Sequence, residues 1–357
     1  MKKTIYQIHK YCGITIGFLL FLSALSGVGI SFREELMPIV YKDLFVVKEG
    51  QSYLPTHEIY SKARAYLGEE KKITNLYGAE DKHEAYLILY KTPEMSFPGM
   101  LTINPYTGAV VGEMSMIKNF FAILLFMHSN LFLGKIGSYI VGLTGLVLMF
   151  FVISGVYIWL PQRNHLLHKI KRTFQFSKHL IVQKLHHSLG ITFSVILLIS
   201  AITGFLTIFD VSYQLMRPIR GEAVRVDDME RKSECTLEEQ INVMKNMTPE
   251  MEKNLISIHL CTAKNGLMKV SYGLHNRDFL EGYGRIVVDP KTGETLQTAN
   301  SESDPSSWNI KRLTIYPIHT GEYLGMFGRV VVFISGFALM ILFLTGLTLY
   351  LKRRRSP

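Results

Sequence analysis

Four long apolar runs constrain this chain more than any other feature of its sequence. They cover roughly residues 13–32, 138–160, 189–209 and 329–351. Each has about 20 residues or more, which at about 1.5 Å per residue is enough to cross a hydrocarbon core of about 30 Å. The first run is long for a signal peptide, and it has a counterpart in the middle of the chain. The runs therefore predict an α-helical membrane protein with four transmembrane helices.

The second half of the sequence repeats the first. Residues 8–17, Ile-His-Lys-Tyr-Cys-Gly-Ile-Thr-Ile-Gly, correspond to residues 185–194, Leu-His-His-Ser-Leu-Gly-Ile-Thr-Phe-Ser. Later in each half the spacing His-x5-Gly-x2-Gly begins at His128 and again at His319. Each half crosses the membrane twice, so the two halves have the same orientation. We therefore expect a tandem two-helix repeat with a pseudo-twofold axis along the membrane normal.

The net charge of +10 is distributed as a membrane topology signal. Basic residues occupy both termini and the segment 161–184, which contains no acidic residue, whereas the two long polar segments carry slightly more acidic than basic residues. This is the positive-inside pattern. It predicts a membrane protein with cytoplasmic termini and two segments that face outward. Because membrane topology accounts for the basic charge, we expect no nucleic-acid partner. We expect the basic loop to contact membrane lipid.

The two outward segments have the pattern of small α+β domains. Thr56 is the predicted N-cap of a helix near 57–67, and Thr236 with Glu239 predicts a capping box before a helix near 237–246. Strands are expected near 72–78, 84–91, 99–104, 255–261, 267–274 and 283–289. The third strand of each segment ends in an Asn/Asp-Pro-x-Thr-Gly turn. The sequence leaves open whether Cys235 and Cys261 form a disulfide.

These observations divide the chain into eight parts. They are helix 1 (5–33), outward domain 1 (34–118), an interfacial segment with helix 2 (119–160), the basic loop (161–184), helix 3 (185–210), outward domain 2 (211–315), an interfacial segment with helix 4 (316–351) and a tail (352–357).

Four of the twelve histidines occupy repeat-equivalent positions. In the predicted topology His9 and His186 lie near the cytoplasmic face, and His128 and His319 near the periplasmic face. Each pair is related by the proposed axis, and a bis-histidine haem needs two imidazoles on opposite sides of one ring. We therefore predict two b-type haems, with these four histidines as the axial ligands of the haem iron. The other reading is that they form ordinary helix–helix hydrogen bonds.

Small residues accompany the first pair of histidines. Gly13 and Gly17 follow His9 at i+4 and i+8, and Gly190 and Ser194 follow His186 in the same way. On a continuous helix these positions share the histidine face, which predicts a flat slot for a planar macrocycle. Close helix packing is the alternative role of such residues. Four arginines near the outer interface could bind haem propionates, a ferric chelate or lipid headgroups: Arg33, Arg217, Arg220 and Arg329.

The order and duplication of these motifs resemble the PepSY-associated transmembrane family. The resemblance covers about residues 5–355 and implies a four-helix inner-membrane protein with two PepSY-like periplasmic domains. Members linked to iron uptake are ferric-siderophore reductases that carry b-type haem. The resemblance thus implies electron transfer through the His9–His186 site and then the His128–His319 site to a ferric chelate.

The sequence contains no flavin or nicotinamide motif, so the expected electron donor is a quinol or a separate reductase. A second hypothesis is a non-enzymatic scaffold or regulator, whose PepSY-like domains bind a peptidase or an envelope partner. A transporter is disfavoured because no Asp or Glu lies within the four apolar runs.

Overall fold

The computed structural model describes residues 1–79, 81–161, 165–175, 180–209, 235–261, 266–274, 282–300 and 311–355, without the side chains of 299, 311, 312 and 353–355. The chain divides into two compact units. The helical unit contains residues 1–32, 124–216 and 310–357, and the sheet unit contains residues 33–123 and 217–309.

The helical unit is built from two similar sets of helices. The first set is α1 (Lys2–Thr15), α2 (Gly17–Ile30), α6 (Phe120–Asn130) and α7 (Gly134–Trp159), and the basic segment adds α8 (Leu166–Thr173). The second set is α9 (Ile181–Thr192), α10 (Ser194–Ile208), α13 (Tyr316–Thr320) and α14 (Gly325–Arg355). A short π-helix (Lys311–Ile315) precedes α13, and a 3-10 helix (Glu322–Leu324) follows it.

Two of the predicted spans are bent helix pairs. The α1–α2 pair bends by 57° and the α9–α10 pair by 62°. In each bend a hydroxyl bonds a backbone carbonyl of the preceding turn: Thr15 donates to Tyr11, and Ser194 donates to Ile191. Such bonds bend helices. In the described part of the chain, Gly134–Trp159 and Glu322–Lys352 can each cross a membrane by length and composition, and the count rises to four if each bent pair is one span.

The helices pack in a symmetric, exchanged arrangement. Helix α1 packs on α7 while its continuation α2 packs on α14, and α9 packs on α14 while α10 packs on α7. Leu20, Leu148 and Ala201 form the buried centre of these contacts. The bends therefore let each N-terminal helix pair contact both long helices, which gives the unit the predicted twofold character.

The two long polar segments share one antiparallel sheet. The first contributes β1 (Lys72–Tyr77), β2 (Tyr86–Lys91), β3 (Gly99–Ile103) and β4 (Val110–Ser115), and the second contributes β5 (Leu255–His259), β6 (Met268–Gly273), β7 (Tyr283–Val288) and β8 (Thr295–Asn300). The strand order is β4-β3-β2-β1-β5-β6-β7-β8. Leu76 pairs with Ile258 across the central β1–β5 junction. The predicted separate domains are therefore two halves of a single sheet unit.

The helices of the sheet unit are α3 (Arg33–Val40), α4 (Lys42–Phe45), α5 (Thr56–Leu67), α11 (Leu237–Lys245) and α12 (Pro249–Lys253), with a 3-10 turn at Met116–Lys118. Helix α5 packs on α11, where the Tyr60 hydroxyl donates to Gln240 Oε1 at 3.3 Å. One buried cluster draws side chains from both halves, including Ile59, Leu76, Met244 and Ile258. The two halves therefore share a core.

Most predicted elements of the sheet unit are confirmed, with two differences. The capping box of Thr236 and Glu239 is present, and Cys235 forms a disulfide with Cys261. Thr56 as an N-cap is wrong: Pro55 holds that position, and the Thr56 side chain is buried as the first helical residue. Strands β4 and β8 were not predicted. They follow the Asn/Asp-Pro-x-Thr-Gly turns and close each half as edge strands.

Candidate functional site

His128 and His319 face each other in the helical unit. His128 lies in the last turn of α6, and His319 lies in the short helix α13, so both precede a long helix as the sequence suggests. Their ring centroids are 6.1 Å apart, and the ring planes are inclined by 48°. The structure thus brings together two imidazoles that are 191 residues apart in the sequence.

His9 and His186 form the second pair. His9, in α1, packs edge-on against Phe151 of α7 with a centroid distance of 5.3 Å. His186, in α9, packs against α14. All four histidines are therefore in the helical unit, and all four are partly accessible.

Each of the four imidazoles uses Nδ1 for its hydrogen bond to a neighbouring helix. The distances are 2.7 Å from His9 to Ser154 Oγ, 2.9 Å from His186 to Thr345 Oγ1, 3.0 Å from His319 to Thr203 Oγ1, and 2.8 Å from His128 to the Ser23 carbonyl. Within the described residues, no hydrogen bond involves Nε2 of these rings. The second ring nitrogen is thus the one left for another ligand.

The Ser23 carbonyl can only accept, so Nδ1 of His128 carries the proton and Nε2 of that ring presents a lone pair. The hydroxyls of Ser154, Thr345 and Thr203 each lie within hydrogen-bond distance of a carbonyl of their own helix, to which they can donate their proton. In that arrangement each hydroxyl accepts from Nδ1 of its histidine, and Nε2 of that ring presents a lone pair. A metal-ligating histidine has this arrangement, in which the other ring nitrogen donates to a nearby oxygen.

A glycine lies beside each ring and comes from the helix that supplies the acceptor. A Cβ built on the glycine would meet the ring carbon Cε1 at 3.4 Å for Gly155 and His9, 3.4 Å for Gly346 and His186, 3.2 Å for Gly204 and His319, and 3.0 Å for Gly27 and His128. The contacts at Gly27 and Gly204 are tight, so a side chain there would displace the ring, whereas those at Gly155 and Gly346 are at ordinary van der Waals distance. The glycines let the imidazoles approach the opposing helix.

The predicted slot within one helix differs from the observed one. The bend between α1 and α2 separates His9 from Gly17, and Phe343 lies 2.9 Å from a Cβ built at Gly17. A Cβ at Gly13 would meet nothing within 4 Å. The reason for the difference is the bend, because positions i and i+8 share a face only on a straight helix.

The separation of His128 and His319 can be compared with the distance that two axial ligands of a haem require. Imidazole–metal bonds are about 2 Å long, and the nitrogen lies about 1 Å from the ring centre, so opposed axial imidazoles have centroids roughly 6 Å apart. The 6.1 Å between His128 and His319 agrees with this value. Among the described residues no group of three or more His, Cys, Asp or Glu could hold a bare metal ion. The donor set present is therefore paired imidazoles, which suits haem iron.

The other candidates have local roles. The His187 ring lies 6.4 Å from that of His186, edge to face. Arg329 donates to the Ser31 carbonyl at 2.8 Å and lies over the Phe32 ring. Arg33 forms an ion pair with its neighbour Glu34. Arg217 and Arg220 lie outside the described residues.

The sequence analysis missed the Ser/Thr-Gly dipeptides that surround the rings. Four of them supply the facing glycines: Ser26-Gly27, Ser154-Gly155, Thr203-Gly204 and Thr345-Gly346. Their repeat-equivalent spacing was the available signal. Two more dipeptides, Thr144-Gly145 and Ser335-Gly336, face Ala201 and Val28 instead of a histidine. The dipeptide alone therefore does not identify a histidine pocket.

Comparison with known proteins identifies the family to which these features belong. A family model described as the PepSY-associated TM region matches residues 6–353. No curated protein matches the chain.

Proposed function

The chain belongs to the PepSY-associated transmembrane family, and on that premise we propose that it is a di-haem b electron-transfer protein that reduces ferric chelates. The proposed substrate is a ferric siderophore, reduced at the periplasmic face of a bacterial inner membrane for iron acquisition. The termini and the basic segment 161–184 would be cytoplasmic, in line with their charge.

The observation that carries this proposal is the opposed pair His128 and His319. Their 6.1 Å centroid separation agrees with axial ligation of one iron, and no hydrogen bond among the described residues links Nε2 of either ring to the protein. His9 and His186 repeat the same hydrogen-bonding pattern in the other pair. The two pairs would hold one haem each.

When bound, haem would supply reversible one-electron iron chemistry. The chain's own residues do the rest. The histidines would hold the iron through Nε2. The Ser/Thr hydroxyls and the Ser23 carbonyl would orient the rings by accepting from Nδ1. The facing glycines admit the rings between helices.

The substrate iron gains one electron that a quinol or a separate reductase loses. Iron(II) has a lower charge and is a softer ion than iron(III), so chelators with hard oxygen donors hold it less tightly. The release of iron from the chelate is thus the outcome of the proposed reaction.

The test is a reduced-minus-oxidised absorbance spectrum of the purified full-length protein, with haem measured per chain. We expect a bis-histidine b-type spectrum and about two haems per chain, as two pairs of ligands would hold. The reduced protein should be reoxidised by a ferric siderophore, and a chromogenic iron(II) chelator should capture the product. A folded protein without haem, grown with ample iron, would overturn the proposal and favour the scaffold hypothesis.

A further inference from the structure

Although the four histidine pockets are related by the repeat, their hydrogen-bond acceptors differ. Three pockets use a side-chain hydroxyl, whereas His128 uses the backbone carbonyl of Ser23 at 2.8 Å, with the Ser23 hydroxyl at 3.5 Å. The groups that differ are the hydrogen-bond acceptors at Nδ1, which would not touch the proposed iron. Such an acceptor changes how strongly the imidazole donates electron density to a metal through Nε2.

His9 depends on a single acceptor. Among the described residues its only hydrogen bond is to Ser154 Oγ, at 2.7 Å. The corresponding hydrogen bonds to a hydroxyl are longer in the other two pockets, at 2.9 Å from His186 to Thr345 and 3.0 Å from His319 to Thr203. The Ser154 hydroxyl therefore makes the shortest of the three bonds.

We infer that the Ser154 hydroxyl is a positioning group that sets the reduction potential of the haem held by His9 and His186. Thr345 has a smaller role at the same haem, and Thr203 has one at the haem held by His128 and His319. The inference rests on the proposed function. An acceptor at Nδ1 makes the imidazole a stronger donor through Nε2 and fixes the plane of the ring. Stronger donation stabilises iron(III) over iron(II) and so lowers the potential.

The contacts predict a ranking of variants. Ser154→Ala should raise the midpoint potential of one haem most, by about a tenfold change in the oxidation equilibrium, which is about 59 mV for one electron. Thr345→Val and Thr203→Val should give smaller shifts because the hydrogen bonds that they remove are longer. Ser23→Ala should give none, since the backbone carbonyl is the acceptor there.

The chain provides matched controls in the same long helices. Thr144 and Ser335 are buried and each precedes a glycine, and their hydroxyls donate to Val141 and Val332. Their glycines face Ala201 and Val28. Thr144→Val and Ser335→Ala therefore make a similar change without touching a histidine pocket, and we expect both to keep the wild-type potentials.

The experiment is a spectroelectrochemical titration of the purified full-length holoprotein and these variants, with haem per chain measured in each. Ser154→Thr is the rescue variant, because threonine keeps the hydroxyl and occupies the equivalent position 345. A raised potential in Ser154→Ala that returns in Ser154→Thr supports the inference. Loss of one haem in Ser154→Ala, regained in Ser154→Thr, also supports it.

Two results would overturn the inference. One is full haem content with wild-type potentials in Ser154→Ala. The other is an equal shift in Thr144→Val or Ser335→Ala, which would indicate a general packing effect. If Ser154→Ala does not accumulate, the midpoint potential of Thr345→Val is the test instead, because Thr345 bonds His186, the other proposed ligand of the same haem. Absence of haem from the wild-type protein would instead contradict the proposed function, so the two failures are distinguishable.

Discussion

His128 and His319 lie with their ring centroids 6.1 Å apart, each held at Nδ1 by an oxygen of a neighbouring helix. The distance is compatible with two ligands of one metal, and it also lies within the range of ordinary contacts between aromatic rings. Helices α6 and α13 occupy equivalent places in the two halves of the repeat. A duplicated histidine has thereby become a pair of opposed histidines, and the same symmetry relates His9 to His186.

The first prediction separates the two pairs. His128→Ala or His319→Ala should remove one haem of two and leave the other, and His9→Ala or His186→Ala should remove the other one. Loss of one axial imidazole leaves the iron a single protein ligand. The measurement is haem per chain with the spectrum of the haem that remains. His187→Ala, one residue from His186, is the control and should retain both. Equal haem content in all five variants would contradict the assignment.

The second prediction concerns a glycine beside a ring. A Cβ on Gly27 would lie 3.0 Å from His128 Cε1, so Gly27→Val should push the ring out of place and lower the haem content of that pair. Gly13→Ala is the control, since its Cβ would meet nothing within 4 Å. Haem content by pyridine haemochrome assay gives the answer. Normal haem content in Gly27→Val would show that the ring does not need this close approach.

The third prediction tests the common core of the sheet unit. Leu76 is fully buried at the β1–β5 junction, opposite Ile258. Leu76→Ala should lower the free energy of unfolding by about 2–5 kcal/mol. Hydrogen exchange should accelerate in strands of both halves, because they share one cluster. Leu237→Ala, at a side chain that is 42% exposed, should change little. Acceleration limited to β1–β4 would mean that the halves fold independently.

The fourth prediction concerns the disulfide between Cys235 and Cys261, which closes a loop with a sequence separation of 26. On the chain-entropy account, such a loop stabilises the folded state by about 3 kcal/mol. The double variant Cys235→Ser, Cys261→Ser should therefore unfold at a lower temperature, first at the start of α11. Thermal unfolding with and without reductant measures this. Cys12 is a free thiol, so Cys12→Ser should behave as wild type. An unchanged melting temperature in the double variant would count against the bond.

The fifth prediction is a pH dependence. Burial raises the pKa of Tyr60 to about 12, against a small opposing effect of Arg64. In the unfolded chain the Tyr60 hydroxyl loses its proton near pH 10. In the folded chain it keeps that proton up to about pH 12. The contribution of Tyr60 to the free energy of unfolding is therefore fully present below pH 10, and the free energy of unfolding falls by roughly 2–3 kcal/mol as the pH rises to 12.

Thermal unfolding of the full-length protein from pH 8 to 12 tests this dependence. Tyr60→Phe removes the ionisable group, so its stability should fall less steeply in that range. At pH 8 the variant should be less stable by about 1 kcal/mol, because it loses the hydrogen bond to Gln240. Identical slopes for the two proteins would assign the alkaline loss to other groups.

Several features could be read from the sequence because they depend on local patterns. The long apolar runs, the helix at 56–67, six of the eight strands and the capping box at Thr236 all follow from periodicity and turn chemistry. The repeat also indicated which histidines would pair. Strands β4 and β8 were missed because a short edge strand after a turn carries little periodic signal.

The sequence by itself determined the family, the membrane-helix composition and the four repeat-equivalent histidines. Only the tertiary structure decided what surrounds those histidines. Ser154 is 145 residues from His9, and Thr345 is 159 residues from His186. The four apolar runs contain six Ser/Thr-Gly dipeptides that look alike in the sequence, yet only four of these face a histidine ring. The bends of 57° and 62° and the exchanged packing of the helices select those four, because such long-range contacts depend on how distant segments pack and leave no local periodic pattern.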